Sequence, residues 1–391
     1  MYQSIKLGLT LALCLFAAAL NAEKLFIGLD ADLSGSSKKG GLAIMRGAQI
    51  AIDEINAKGG IKGKELSMIV RDHRGNPARG QRNLKELSKQ DNLIAVIGGA
   101  HTPVVLQELE LIHKNKILFL VPWAAGTPIT ENEYSPNYVF RASIRDMDAG
   151  PVLVRHASQN GATKLSLVLE RTGWGRSNEV SMKRAAKDLN VQIVGTHWVN
   201  WGTKDLSKEV EAIKSEGPDA IMLVTNAPEG AALIKAMLAD ESVIDTPVIS
   251  HWGIASGDFV SQVGLTNLSK MTLSTIQTFS FLNAHNTKLA ERFLTSYKEK
   301  YHPDANQKNI PGVVGLAQAY DLVHMLAIAS ENARSLTMPD LREAFESIKH
   351  YDGLIKQYRS PFSDGLNEAL TPLDYFIAEF DEQGDIVPWQ Q

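Results

Sequence analysis

Apolar residues along this chain fall into two alternating rhythms. Short, nearly unbroken apolar runs at 24–30 (KLFIGLD), 65–71 (ELSMIVR), 93–98 (LIAVIG) and 117–121 (ILFLV) read as buried strands. Between them, 42–56, 77–91 and 103–114 carry apolar residues at helical spacing. In the first of these, Ile44, Ala48, Ala51, Ile52 and Ile55 share one face, and Gly59-Gly60 ends it. Strands separated by helices of this length predict right-handed βαβ units around a parallel sheet.

The same rhythm then starts again on different sequence. Helices at 149–160, 177–189, 205–215 and 228–238 alternate with strands at 165–170 (LSLVLE), 192–197, 220–225 (AIMLVT) and 247–251. This predicts a second α/β lobe instead of a longer first sheet. Residues 137–143 (NYVFRAS) read as an extended crossing between the two. Helices at 287–301 and 313–331 are expected back in the first lobe, and a strand at 373–380 (LDYFIAEF) in the second. The expected lobes are therefore 23–141 with about 276–370, and 142–275 with about 371–391.

The N-terminus does not belong to this pattern. Lys6, the apolar run 7–20 (LGLTLALCLFAAAL) and Asn21-Ala22 have the order of a secretory signal peptide cleaved near Ala22. The apolar core is short for a bilayer span; a membrane anchor is the competing reading. The chain's one cysteine, Cys14, follows the bulky Leu13 inside this run and reads as filler, so the mature chain has none. About 370 residues remain, enough for two domains held by core burial alone. No later segment approaches the ~18 consecutive apolar residues of a membrane span. The expected location is the periplasm. A formal net charge of −4 argues against a nucleic-acid partner.

In open α/β sheets, ligands bind beyond the carboxyl ends of strands, so the loops there carry the candidate chemistry. His101-Thr102-Pro103 opens a helix, with Thr102 as N-cap and Pro103 as first helical residue. That is either an anion site made of free N–H groups and the Thr hydroxyl or a well-capped helix and no more. Trp123-Ala124-Ala125 follows another strand, Trp174 stands between Gly173 and Gly175, and Ser250-His251-Trp252 follows a third. Three of the six Trp residues thus sit at strand ends, as ligand platforms or as core. Trp198 and Trp201 near another end read as braces for their loop, and Lys38-Lys39 as a solvated loop.

Nucleophile elbows, phosphate-binding loops, dinucleotide fingerprints and paired zinc-ligand histidines do not occur. No cofactor is implied and no enzyme is expected. An exported hydrolase using Ser250 and His251 is the competing enzymatic reading, but neighbours on a strand end point apart. His101 and His251 are candidates to meet across a cleft as hydrogen-bond donors or as metal ligands.

Several segments are similar to one known family. Leu33-Ser34-Gly35, Arg46-Gly47-Ala48, the run 53–63 (DEINAKGGIKG), Ala95-Val96-Ile97-Gly98, Tyr138-Val139-Phe140-Arg141, Gly173-Trp174-Gly175 and Gly217-Pro218-Asp219-Ala220 resemble the periplasmic leucine/isoleucine/valine-binding proteins. The resemblance spans the mature chain. It implies a type I periplasmic-binding fold: two Rossmann-like lobes with central parallel sheets, three hinge crossovers and a cleft between them. It also implies a monomer that captures a small solute and delivers it to the membrane permease of an ABC importer; a sensing receptor subunit is the alternative. By the same resemblance, Thr102 corresponds to the residue that holds the ligand carboxylate. Trp123 to Ala125 correspond to a contributing loop, Trp174 to an aromatic wall and Asn226 to a Tyr near the ammonium. Trp252 falls where the family has the acid that pairs with the ammonium. An aliphatic amino acid in the usual pose is therefore not expected, and the Trp residues favour a ligand with an apolar or aromatic body. Asp321 or Glu170 would replace the missing countercharge if either reached the cleft. Changing Trp174 or Trp252 to Ala is expected to weaken binding about tenfold or more and to leave the unliganded protein folded.

Overall fold

The computed structural model describes residues 24–390, so the expected signal peptide and its cleavage point near Ala22 lie outside the described residues. Strands β1 (Leu25–Ala31), β2 (Leu66–Asp72), β3 (Leu93–Ile97), β4 (Phe119–Val121) and β5 (Val139–Arg141) form one sheet in the order β2-β1-β3-β4-β5. Every pair in it is parallel. Helices α1 (Lys38–Ala57), α2 (Pro77–Leu87) and α3 (Thr102–Lys114) connect the strands. Asn76 caps α2, its side chain accepting from Arg79 N, with Pro77 directly after it.

The second lobe repeats the plan. After α4 (Asp146–Gln159) come β6 (Lys164–Glu170), α5 (Gly173–Asp188), β7 (Gln192–Val199), α6 (Ser207–Glu216), β8 (Ala220–Val224), α7 (Ala227–Leu238) and β9 (Val248–Ser250). The short helices α8 (Phe259–Val263) and α9 (Leu265–Leu268) then lead to β10 (Leu273–Gln277). The order β7-β6-β8-β9-β10 is that of the first sheet, and these pairs are also parallel. Both β3 (LIAVI) and β8 (AIMLV) are buried at every position, because helices cover both faces of each sheet.

The chain next returns to the first lobe with α10 (Thr287–Lys300), α11 (Val313–Asn332), α12 (Met338–Glu346) and the hairpin β11 (His350–Asp352) and β12 (Gln357–Arg359). Finally β13 (Phe376–Phe380) and β14 (Ile386–Pro388) extend the second sheet antiparallel. The lobes are thus joined by three crossovers: after β5, after β10 and before β13. Helix α11, whose apolar residues are interrupted by polar ones, is still long and apolar enough to cross a membrane, yet 78% of that stretch is buried. It is a core helix lying along α1, so close that a Cβ on Gly47 would collide with the Leu316 carbonyl.

Several elements differ from the pattern. Helix α1 begins at Lys38, and Gly173 to Arg176 form the first turn of α5, not a loop. Strand β10, which ends in Gln277, places the second crossing slightly later than expected. The elements expected from the sequence do not include β10, α12 or the β11–β12 hairpin.

Candidate functional site

The carboxyl ends of the two sheets face each other, and their loops line a small cavity between the lobes. It is lined by Ala100, His101, Thr102, Pro103, Trp123, Ala124 and Ala125 from the first lobe. The second lobe contributes Glu170, Trp174, Trp201, Asn226, Trp252 and Gly253. A larger opening, bounded by Lys39, Phe259, Lys308 and Ile386, also lies where the lobes meet and shares the loop after β9 through Ile254, Ala255 and Gly257. The lobes touch around the smaller cavity. Thr127 N donates to Ser177 Oγ (3.0 Å), and the Ser37 and Ser256 hydroxyls are 3.0 Å apart. Lys38 and Lys39, expected to be a solvated loop, both reach Asp258 of the opposite lobe at 3.1 Å. They remain partly exposed, so each pair adds about 1 kcal/mol at most to closure.

The 122–126 loop is held from behind by Arg141. Its buried guanidinium donates to the carbonyls of Ala124 (3.1 Å) and Gly126 (2.8 Å) and to Thr130 Oγ1 (3.0 Å), and it forks onto Glu368. Ser143 Oγ donates to the Trp123 carbonyl (2.7 Å) and Asp146 N to that of Ala125 (2.8 Å). The Trp123 indole lies in a space left by Gly315, where a Cβ would collide with it, and its ring centre is 5.5 Å from that of Trp252.

Thr102 does not cap α3. The helix starts at Thr102, His101 stands before it, and no side chain caps the end. The N–H groups of Val104 and Val105 both turn to the His101 carbonyl (3.1 and 3.3 Å), and Pro103 has none, so the first turn offers fewer free donors than its sequence suggests. Instead Thr102 Oγ1 accepts from Gly126 N (3.1 Å), tying the two loops together and leaving its O–H able to donate. Next to it, His101 Nε2 lies 3.2 Å from Asp32 Oδ2, and its ring centre is 5.4 Å from Trp201. Burial alone would raise the Asp32 carboxyl. His101 and the N–H groups of Ser37 and Gly35 outweigh it and hold the group at about 2.

In the second lobe, Trp174 sits in the first turn of α5. It stands edge-on to His251 with ring centres 5.1 Å apart, and a Cβ on Gly253 would press on its outer edge. His251 does not line the cavity. It is wholly buried behind Trp174 and Trp252; its Nδ1 accepts from Trp252 N (2.9 Å), and its Nε2 faces Asp146 Oδ1 at 3.2 Å without hydrogen-bonding alignment. His101 and His251 therefore do not meet: each has its own acid and its own lobe, and the expectation of a shared contact is corrected. Asp321 is buried far from this lining. It accepts from the N–H groups of Leu354 (2.8 Å) and Ile355 (3.2 Å) and the hydroxyls of Tyr358 (2.9 Å) and Tyr351 (3.2 Å), so it anchors the β11–β12 hairpin.

Glu170 is the acid that reaches the cavity. Its Oε1 accepts from Asn226 N (2.8 Å) and Nδ2 (2.6 Å), whereas its Oε2 has no hydrogen-bond partner among the described residues. Burial pushes the carboxyl up to about 8, against the pull of the Trp201 indole and the Asn226 donors. Trp201, which the sequence placed as a brace, lines the cavity as well and is 39% exposed. Its signal was weak, because only the fold carries the loop after β7 to the cleft. For Glu170 a signal existed: a carboxylate closes the otherwise apolar run LSLVLE at the carboxyl end of a strand.

The raised Glu170 carboxyl has a consequence for stability. The folded state binds its proton more tightly than the unfolded chain, where the group titrates near 4.5. Its contribution is full below about pH 4.5 and is lost as pH rises through about 8. The buried Asp30–Glu108 pair slopes the same way, Asp30 being pushed up to about 7 by burial, so the single group must be isolated by difference. Urea unfolding of unliganded wild type is expected to show a larger drop between about pH 5 and about pH 8 than the Glu170→Gln variant. Equal slopes would mean that Glu170 is ionised in the folded protein.

A family model described as "Periplasmic binding protein" matches residues 24–385, nearly all of the described chain. The chain belongs to the periplasmic binding protein family. "Leu/Ile/Val-binding protein homolog 2" of Brucella abortus (strain 2308) is 26% identical over 294 residues, covering 75% of this chain and 77% of that protein. A solved periplasmic binding protein type 1 from Bordetella pertussis Tohama I superposes with a TM-score of 0.83 at 22% identity, over 94% of this chain and all of the other. A solute-binding protein of an ABC transporter from R. palustris, solved with 4-hydroxybenzoate, superposes at 0.77 and 18% identity, over 94% and 96%. The two-lobed fold expected from the sequence is thus that of this family. This periplasmic binding protein shares its architecture with proteins whose named ligands differ in chemistry, so the site, not the fold, decides the ligand.

Proposed function

We propose that the mature chain is the extracytoplasmic substrate-binding component of an ABC importer. It acts as a monomer without enzymatic activity or cofactor and is released by cleavage near Ala22. Its lobes are 23–141 with about 278–370, and 142–277 with 371–391. The observation that supports this reading is a cavity lined by strand-end loops of both lobes. A solute seated there contacts both sheets at once and favours the closed form, which a permease then recognises.

The solute is an amino acid or a related carboxylate or amide with an apolar or aromatic part. Thr102 supplies a hydroxyl donor for its oxygen, with His101, Ala124 and Ala125 around it. The indoles of Trp123, Trp174 and Trp252 take the body, and Asn226 positions Glu170 at the far side. His251 acts from behind as the residue that positions Trp174 and Trp252. A thermal-shift screen against amino acids, their N-substituted forms, aromatic acids, amides and polyamines is expected to return at least one compound that raises the melting temperature by several degrees. X-ray scattering with that compound should report a more compact protein than without it. A screen in which no small solute stabilises the fold, with scattering unchanged throughout, would remove the binding reading.

A further inference from the structure

We propose that this cavity selects an N-alkylated ammonium compound that also bears an oxygen acceptor, with the Trp indoles holding the alkylated head and Glu170 as its countercharge. The inference rests on the solute-binding reading above and names the ligand class. No Lys or Arg lines the cavity. The cation-forming side chain that does, His101, is already engaged with Asp32. Glu170 is fully buried, and its Oε2 makes no aligned hydrogen bond among the described residues, although the Trp201 indole stands close enough to the carboxyl to pull on it. Protonated when no ligand is bound, this acid can ionise only against a positive charge brought by the ligand.

The kind of cation follows from counting donors. A primary ammonium brings three N–H groups, each of which must find an acceptor when buried. Glu170 Oε2 satisfies one, while Thr102 Oγ1 already accepts from Gly126 N and Glu170 Oε1 already accepts twice. An N-methylated head has no such demand. Its charge is spread over the methyl groups, which sit favourably against indole, and four of the lining side chains are indoles: Trp123, Trp174, Trp201 and Trp252. The oxygen acceptor is required for a separate reason. Among the described residues, Trp174 Nε1–H is buried without a partner, and the Thr102 hydroxyl, which accepts from Gly126 N, is able to donate. The ligand's carboxylate or carbonyl satisfies them.

Calorimetry on the mature protein tests this with glycine betaine, choline and tetramethylammonium, set against glycine, isoleucine and 4-hydroxybenzoate. Glycine betaine is expected to bind more than about tenfold tighter than glycine, which differs from it only by the three methyl groups. Glu170→Gln is expected to weaken glycine betaine about tenfold or more. If that variant does not fold, Trp201→Ala changes a partly exposed side chain and is expected to weaken the same compound severalfold. Isoleucine or 4-hydroxybenzoate binding while every alkylated ammonium compound fails would overturn the inference and leave the solute-binding reading standing. A folded Glu170→Gln protein with unchanged affinity for glycine betaine would also overturn it.

Discussion

Arg141→Ala is expected to lower the unfolding free energy by about 3–5 kcal/mol, one of the two largest losses for a single substitution in this chain. Arg141 is fully buried where the first crossover leaves β5, and Glu368 comes from the third. Removing the guanidinium strands the Glu368 carboxylate in a site with little water. It also releases the Ala124 and Gly126 carbonyls and the Thr130 hydroxyl. The backbone joins the same node, since Arg141 N donates to Asn367 O and Ala369 N to Arg141 O, each at 2.8 Å. Binding should fall together with stability, because the freed loop carries Trp123. Arg141→Lys keeps the charge and loses the fork, so it should restore only part of the loss. Urea unfolding of the unliganded variants decides the matter; a loss below about 1 kcal/mol for Ala would mean that the network relaxes around water.

Trp252→Ala is expected to cost a similar amount, about 3–5 kcal/mol, along with at least about a tenfold loss of ligand affinity. Here the structure changes the expectation from sequence, which kept the unliganded fold intact. Trp252 is only 1% exposed and packs between Trp123 and His251. Truncation opens a void at the junction of the lobes, and the close-packed surroundings fill it only in part. Trp252→Phe should keep most of the stability, since a ring remains in the space. An Ala variant that unfolds at the wild-type urea concentration would show that the lobe junction is loosely packed without ligand.

The parts legible in the sequence are those set by local periodicity. The apolar runs of β3 and β8 predict buried parallel strands because a sheet covered on both faces has no polar side. The strand-end rule then led to Thr102, Trp123 and Trp174, which the fold gathers into one cavity lining. Strand β10 (LSTIQ) escaped because Leu273 and Ile276 do not alternate, whereas α12 carries Met338, Leu341 and Phe345 at helical spacing and was legible. The first turn of α5 escaped because two glycines read as a loop. Here they serve close packing, as at Gly175, where a Cβ would collide with the Glu170 carbonyl.

Roles that depend on three-dimensional neighbours were not legible. His251 and Trp252 are adjacent in the chain, yet one supports from behind and the other lines the cavity. Glu170 and Asp321 were equal candidates for a countercharge. Only the fold separates the acid facing the indoles from the acid buried under a hairpin. By itself, the sequence determined the alternation of strands and helices, the doubling into two lobes and the strand ends at which a ligand must bind, because each rests on spacing along the chain. Tertiary structure alone decided which charge reaches the cavity and how Thr102 spends its hydroxyl. It also decided that Arg141 fixes the loop, because burial and hydrogen bonding depend on residues far apart in the chain, 24 positions for Thr102 and Gly126 and 227 for Arg141 and Glu368.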